Sequence, residues 1–216
     1  ANMNSILREC LEEGAWGLSS GLDYPPGSYA STNELISLCK EAAKLDGFYH
    51  THTRAKLISE QNFLAPWEEA IEIGKKSGIP VHLTHYKQRD SRVGSFRDYL
   101  GLVENARNNG MDVTFDSYTY PYSGTTITII LPEWAKDGGP EILINNLKSS
   151  TSRKKMCNEI NHESFQENWL TNYKKPHNKK YEGLSVSEIA IMKDKDVCET
   201  IFDLLIDENL GISTVG

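Results

Sequence analysis

Phe48-Tyr49-His50-Thr51-His52-Thr53-Arg54 decides the reading of this chain, together with its echo Val81-His82-Leu83-Thr84-His85-Tyr86-Lys87. Each stretch is short and β-prone, and each ends in Thr-His with a cation two residues on. A helical pattern precedes each one. In a sheet of parallel strands, histidines at the carboxyl ends of two strands face a common rim, where a metal ion can be held by neutral imidazole nitrogens.

Working outward, the same grammar repeats. Asn4 to Glu13 carries Ile6, Leu7, Cys10 and Leu11 at helical spacing, and Gly14 is placed to end it. Ala15 to Leu22 reads as a buried strand whose small residues suit close approach of backbone or ligand. Asp23-Tyr24-Pro25-Pro26-Gly27 is a loop, because proline fixes φ and removes a donor. Ser31-Thr32-Asn33-Glu34 is a capping box that opens a helix running to about Leu45. Phe48–His52 is the next strand, Trp67–Lys76 a helix, Ile79–His85 a strand, Phe96–Asn108 a helix and Met111–Phe115 a strand that reaches Asp116. Strand and helix alternate at about thirty residues per unit, which implies parallel strands. A (β/α)8 barrel segment and an open doubly wound sheet both satisfy the pattern. No Gly-x-Gly-x-x-Gly follows a strand, which disfavours dinucleotide binding.

After Asp116 the rhythm breaks. Tyr118 to Gly124 is aromatic and turn-rich, Thr125–Leu131 is β-prone, and Pro140–Leu147 and Arg153–Ile160 read as short helices. Asn161–Glu182 is polar. Ser185 with Glu188 caps another helix, and Val197–Glu208 is a further one. A long insertion of this kind often carries function as a lid. The expected division is therefore 1–122 for the central part of a barrel, 123–196 for an insertion or lid, and 197–216 for a return to the barrel.

Composition bounds the function. The chain has 216 residues, 38% hydrophobic and 25% charged, with net charge −7. An acidic chain without a basic stripe argues against nucleic acid, and no apolar run is long enough for a membrane span. Cys10, Cys39, Cys157 and Cys198 lie far apart without a Cys-x-x-Cys, as expected of reduced thiols and a cytoplasmic setting. The start without Met and the end at an incipient strand suggest a piece of a longer protein. Oligomeric state is not legible.

His52 and His85 close their strands and are the best candidate metal ligands; ordinary strand-end histidines with hydrogen-bond partners are the competing reading. His50 sits a step deeper and reads as a core histidine. His82 and His85 would face opposite sides of a regular strand. His162 and His177 read as solvated. Arg54 and Lys87 would either hold a carboxylate or be surface charges, the surface being the commoner place. Asp116 would orient a ligand from behind or serve a turn.

Several motifs carry a resemblance. Gly14-Ala15-Trp16-Gly17-Leu18-Ser19-Ser20-Gly21-Leu22-Asp23-Tyr24-Pro25-Pro26-Gly27 resembles G-A-x-G-L-S-x-G-L-x-Y-x-P-G. Tyr49-x-Thr51-His52-x-Arg54 resembles Y-x-T-H-x-R, and Thr84-His85-x-Lys87 resembles S-H-x-K. Asp116 to Tyr122 resembles D-x-Y-P-Y with two extra residues. Leu131-Pro132-x-Trp134, Gly138-Gly139, Gly183-Leu184-Ser185 and Glu188-Ile189-Ala190 extend the match. Together they resemble the N-acyl-D-amino-acid deacylase (D-aminoacylase) family of the amidohydrolase superfamily. The resemblance implies a zinc-dependent (β/α)8 barrel, of which this α/β chain would hold about strands 4–7, hydrolysing the amide of N-acyl-D-amino acids, small-molecule substrates. It implies that His52 and His85 are zinc ligands, that Lys87 and Tyr120 (or Tyr118) contact substrate, and that Asp116 supports the site. It places a further cysteine ligand and a His-x-His upstream, and the general-base aspartate beyond Gly216, so the chain alone would be inactive. A cyclic-amide hydrolase of the dihydroorotase or hydantoinase kind and a non-catalytic barrel-derived protein are the alternatives.

Overall fold

The computed structural model describes residues 3–59, 61–88 and 94–216, and the chain divides into two compact units, Ala1–Thr119 and Tyr120–Gly216. The first unit alternates α1 (Met3–Glu12), β1 (Gly17–Gly21), α2 (Thr32–Ala43), β2 (Phe48–His52), α3 (Ala65–Ser77), β3 (Val81–Leu83), α4 (Phe96–Asn108) and β4 (Val113–Phe115). Local chemistry sets the boundaries. The Ser31 hydroxyl accepts from the Glu34 amide at 3.2 Å and starts α2. Gly78, at φ 76°, ends α3 in the left-handed region. Ser95 and Asp98 form the capping box of α4.

The strands pair in parallel in the order β1-β2-β3-β4. One face of this sheet presents Tyr49, Val81, Leu83 and Val113 to the helices. They join Leu11 of α1, Leu35 and Cys39 of α2, Trp67 and Ile73 of α3, and Tyr99 and Val103 of α4 in a single core. All four helices thus pack on one face, unlike a doubly wound sheet, which is covered on both. Trp67 is fully buried and meets the rings of Tyr86 and Tyr99 edge-on. The small residues of β1 answer a close approach: a Cβ on Gly17 would lie 2.1 Å from the Phe48 carbonyl oxygen.

The other face is polar. The register aligns Ser19, His50, His82 and Thr114 in one row across the four strands. His52 lies two residues beyond His50, on the same side, beside Gly21.

The second unit holds β5 (Gly124–Thr126), α5 (Glu133–Lys136), α6 (Pro140–Lys148), α7 (Ser150–Glu159), β6 (Trp169–Thr171), α8 (Val186–Lys193), α9 (Val197–Asp207) and β7 (Ser213–Val215). Its sheet is antiparallel in the order β5-β7-β6. Leu147, Met156, Phe165, Leu170, Ile189, Phe202 and Leu205 are buried in its core. Arg153 of α7 pairs with Glu199 and, at 2.8 Å, with Asp203 of α9.

One expectation is corrected here. The β-prone segment 125–131 is a strand only to Thr126; Ile127–Ile130 forms a 3₁₀ turn, begun by the Thr126 hydroxyl. The polar segment 161–182 contains β6 and further 3₁₀ turns. Strand β7 is the middle strand of the antiparallel sheet, and α9 places Ile201, Phe202, Leu204 and Leu205 in the same core as α6 to α8. Among the described residues no helix is long and apolar enough to cross a membrane.

Candidate metal centre

The carboxyl ends of β2 and β3 bring His52 and His85 together: His52 Nδ1 lies 2.8 Å from His85 Nε2. Strand β3 stops at Leu83, and His85 sits in the turn beyond it at φ 41°, in the left-handed region. That turn defeats the strict alternation of a strand and swings His85 to the side of His52. Asp116, at the end of β4, holds the turn, its Oδ1 accepting the His85 main-chain N–H at 2.6 Å.

The outer nitrogens of both rings are committed. His52 Nε2–H donates to Asp23 Oδ2 at 2.9 Å, and His85 Nδ1–H donates to the Thr84 carbonyl at 2.5 Å. Tautomers assigned from these partners leave a lone pair on each of the two facing nitrogens. A metal ion drawn between them would use both lone pairs. The present separation is 2.8 Å. A tetrahedral zinc with bonds of about 2.0–2.1 Å needs about 3.3 Å, a parting of roughly half an ångström. A carboxylate behind a ligating imidazole is also the usual device for fixing its tautomer and raising its basicity. The pair therefore fits a metal ion. Among the described residues no third His, Cys or carboxylate oxygen joins these two nitrogens.

Asp23 carries a role that the sequence left unassigned. It lies two residues past Gly21, in the loop after β1, and its Oδ1 also accepts the Ala55 N–H at 2.5 Å. One carboxylate thus ties the rim loops after β1 and β2. Its place within the Gly-Leu-Asp-Tyr stretch was the available signal. Arg54, expected at the surface, is buried. It donates to the carbonyls of Ser28 (2.9 Å) and Ala30 (2.7 Å) and pairs with Glu69 of α3 at 3.2 Å. Its guanidinium anchors the loop that carries Asp23.

Beneath the pair lies a second group. His50, His82 and Asp116 hold their donor atoms within 4.8 Å of one another. Each is hydrogen-bonded: His50 to Thr84 Oγ1 at 2.6 Å, His82 to Thr114 Oγ1 at 2.7 Å and to Asp116 Oδ2 at 3.0 Å. Partial burial works to raise the Asp116 carboxyl. Hydrogen bonds from the His85 amide and His82, with their nearby charge, outweigh it and hold the carboxyl below the ordinary range. Asp116 therefore grips a backbone amide and a neighbouring histidine rather than the His85 ring.

Lys87 Nζ donates to the Tyr118 hydroxyl and lies 4.3 Å from the centre of that ring. Tyr120 begins the second unit and is 62% exposed. Of the two tyrosines considered for substrate contact, Tyr118 is the one the first unit brings to Lys87.

No family model matches the chain. A D-aminoacylase from Alcaligenes xylosoxydans xylosoxydans is 33% identical over 128 residues, covering 59% of this chain and 26% of its own length. An N-acyl-D-glutamate deacylase from the same organism is 34% identical over 134 residues, 62% of this chain and 26% of its own. Among solved structures, an N-acyl-D-glutamate deacylase from Bordetella bronchiseptica, complexed with zinc and a phosphonate inhibitor, matches with TM-score 0.70 at 24% identity. The match covers 99% of this chain and 37% of that one. A D-aminoacylase described as defining a novel subset of amidohydrolases matches with TM-score 0.64 at 23% identity, over 99% of this chain and 36% of its own. At such identities these two likenesses speak for the fold. The chain spans about a quarter of the length of the curated relatives it matches, and over that part it is similar to a D-aminoacylase and to two N-acyl-D-amino-acid deacylases.

Proposed function

We propose that the chain is the metal-binding centre of an enzyme that hydrolyses the amide of N-acyl-D-amino acids to a carboxylate and a D-amino acid. The facing lone pairs of His52 Nδ1 and His85 Nε2 carry this reading. Zinc is the proposed ion, held by these two nitrogens with a further ligand from outside the described residues. Bound zinc supplies Lewis acidity, lowering the pKa of a water and polarising the scissile carbonyl.

The residues of this chain orient and bind. Asp23 accepts the hydrogen bond of His52 Nε2–H and aims Nδ1 inward. The Thr84 carbonyl does the same for His85, and Asp116 fixes the backbone under it. Lys87 presents a cation for the substrate carboxylate, with the Tyr118 hydroxyl beside it; Tyr120 is the alternative partner for substrate. No carboxylate of this chain is assigned proton transfer, a role the family resemblance gives to an aspartate beyond Gly216. The 216 residues alone are expected to show no turnover.

The parallel sheet is read as part of a (β/α)8 barrel. Its single helix layer and the polar row Ser19, His50, His82 and Thr114 on the other face support this, since that face would line a barrel interior. A cytoplasmic setting is supported by four free cysteines.

The test uses the full-length protein, measuring bound zinc and acetate released from N-acetyl-D- and N-acetyl-L-amino acids. The His52→Ala, His85→Ala double variant is expected to lose at least one zinc per chain and all D-specific release. Unchanged zinc and activity would refute the ligand assignment. Hydrolysis of hydantoins in place of N-acyl-D-amino acids would refute the substrate.

A further inference from the structure

The second unit gathers a separate set of soft donors. Cys157 lies in the last turn of α7, His162 opens the 3₁₀ turn after it, and Cys198 lies in the first turn of α9. Cys198 Sγ is 3.2 Å and Cys157 Sγ 3.9 Å from His162 Nε2, and the three donor atoms lie within 4.8 Å of one another. The sequence alone reads His162 as solvated and the cysteines as reduced thiols far apart in the chain. Instead the ring is half-buried, beside a buried Cys198.

Zinc bonded at about 2.3 Å to sulfur and 2.0–2.1 Å to nitrogen in a tetrahedron spaces S and N about 3.6 Å apart. The two measured separations fall on either side of that value. Cys157 also borders an open groove with Ser150, Arg153, Asn158 and Asp196, so water reaches the cluster.

We propose that Cys157, His162 and Cys198 bind one zinc ion, with a water from the groove as the fourth ligand. Binding releases the two thiol protons, and two thiolates then cancel the charge of the ion, so that burial of Cys198 strands no net charge. His162 Nε2–H now donates to the Cys157 carbonyl at 3.1 Å. The ion takes the place of that hydrogen, and the ring proton moves to Nδ1. Without the ion, burial pushes both thiols above their ordinary range, so it is the ion that displaces their protons. Asp196, which caps α9 by accepting from the Cys198 N–H at 2.8 Å, stands 3.8 Å from Cys157 Sγ and adds negative charge beside the ion. The bond set pins three segments: the end of α7, the turn after it and the start of α9. This site is independent of the His52–His85 pair.

The reduced, chelator-treated chain carrying His52→Ala and His85→Ala isolates the cluster. It is expected to take up one Co²⁺ with a thiolate-to-cobalt charge-transfer absorption, which one equivalent of Zn²⁺ displaces. Cys157→Ser and Cys198→Ser should abolish the band, and Cys10→Ser should leave it. Absence of the band in a chain that circular dichroism shows to be folded overturns the proposal, as does a band that survives both cysteine variants. Should those variants fail to fold, alkylation of the parent chain decides. Zinc is expected to slow modification of Cys157 at least tenfold, and an unchanged rate overturns the proposal. A Cys157–Cys198 disulfide without reductant, with no cobalt band after reduction, would mark a redox pair and overturn it too.

Discussion

The Asp23 carboxylate stands 2.9 Å from His52 Nε2 and so decides which nitrogen of His52 carries a proton. Asp23→Asn can present its amide NH₂ to Nε2 and invert the tautomer, closing Nδ1 to a metal. Zinc affinity, measured by competition with a chelator, is expected to fall about 10- to 100-fold. Circular dichroism should be unchanged. Equal affinity in variant and parent would remove Asp23 from the site.

Arg54 and Glu69 test whether the rim is built on a buried pair. Their side chains are 7% and 9% exposed. Removing one member leaves a buried charge, so Arg54→Met should cost about 3 kcal/mol in urea unfolding. A cost under about 1 kcal/mol would return Arg54 to the class of surface charges.

Gly27 packs its Cα against β1: a Cβ there would lie 2.3 Å from the Gly21 carbonyl oxygen. Gly27→Ala is expected to push the loop of Asp23 off the strand end. Zinc affinity should fall severalfold with the helices intact by circular dichroism. Unchanged affinity would show that the loop tolerates displacement.

Acid should loosen the second unit. Asp207 accepts from Lys175, His177 and Asn178, which hold its carboxyl far below the ordinary range. Burial works to raise Glu208, but hydrogen bonds from Asn178 and the amides of Lys174 and Lys175 outweigh it and lower it. Both folded values lie below the unfolded ones of about 4. Their contribution is therefore full above about pH 5 and is lost as pH falls through the folded values. The urea midpoint should drop from pH 6 to pH 3. Glu208→Gln should be less stable at pH 6 and lose less on acidification. A parallel pH dependence in the two proteins would sink this account.

The parallel unit was legible because each βα step is written locally. Ser31 and Glu34 announce α2, Gly78 ends α3, and Phe96–Asn108 carries the helical stripe of α4 from end to end. His52 was legible as the last residue of a regular strand. His85, expected to close its strand, lies beyond it in a left-handed turn. What stayed hidden depends on loops and distance. Asp23 reaches His52 across 29 residues, and Asp116 reaches His85 across 31. The strands β5, β6 and β7 are three residues each, too short for alternation to register, and they pair across long separations. Cys157, His162 and Cys198 likewise share no spacing that signals a cluster.

The pairing of β5 with β7 has a topological consequence. Ser123 and Gly216 exchange two hydrogen bonds, at 2.8 and 3.0 Å, so main-chain bonds fasten two residues 93 apart in sequence. Closing a loop of that length carries an entropy cost that local contacts escape, and the core buried inside the loop is what offsets it.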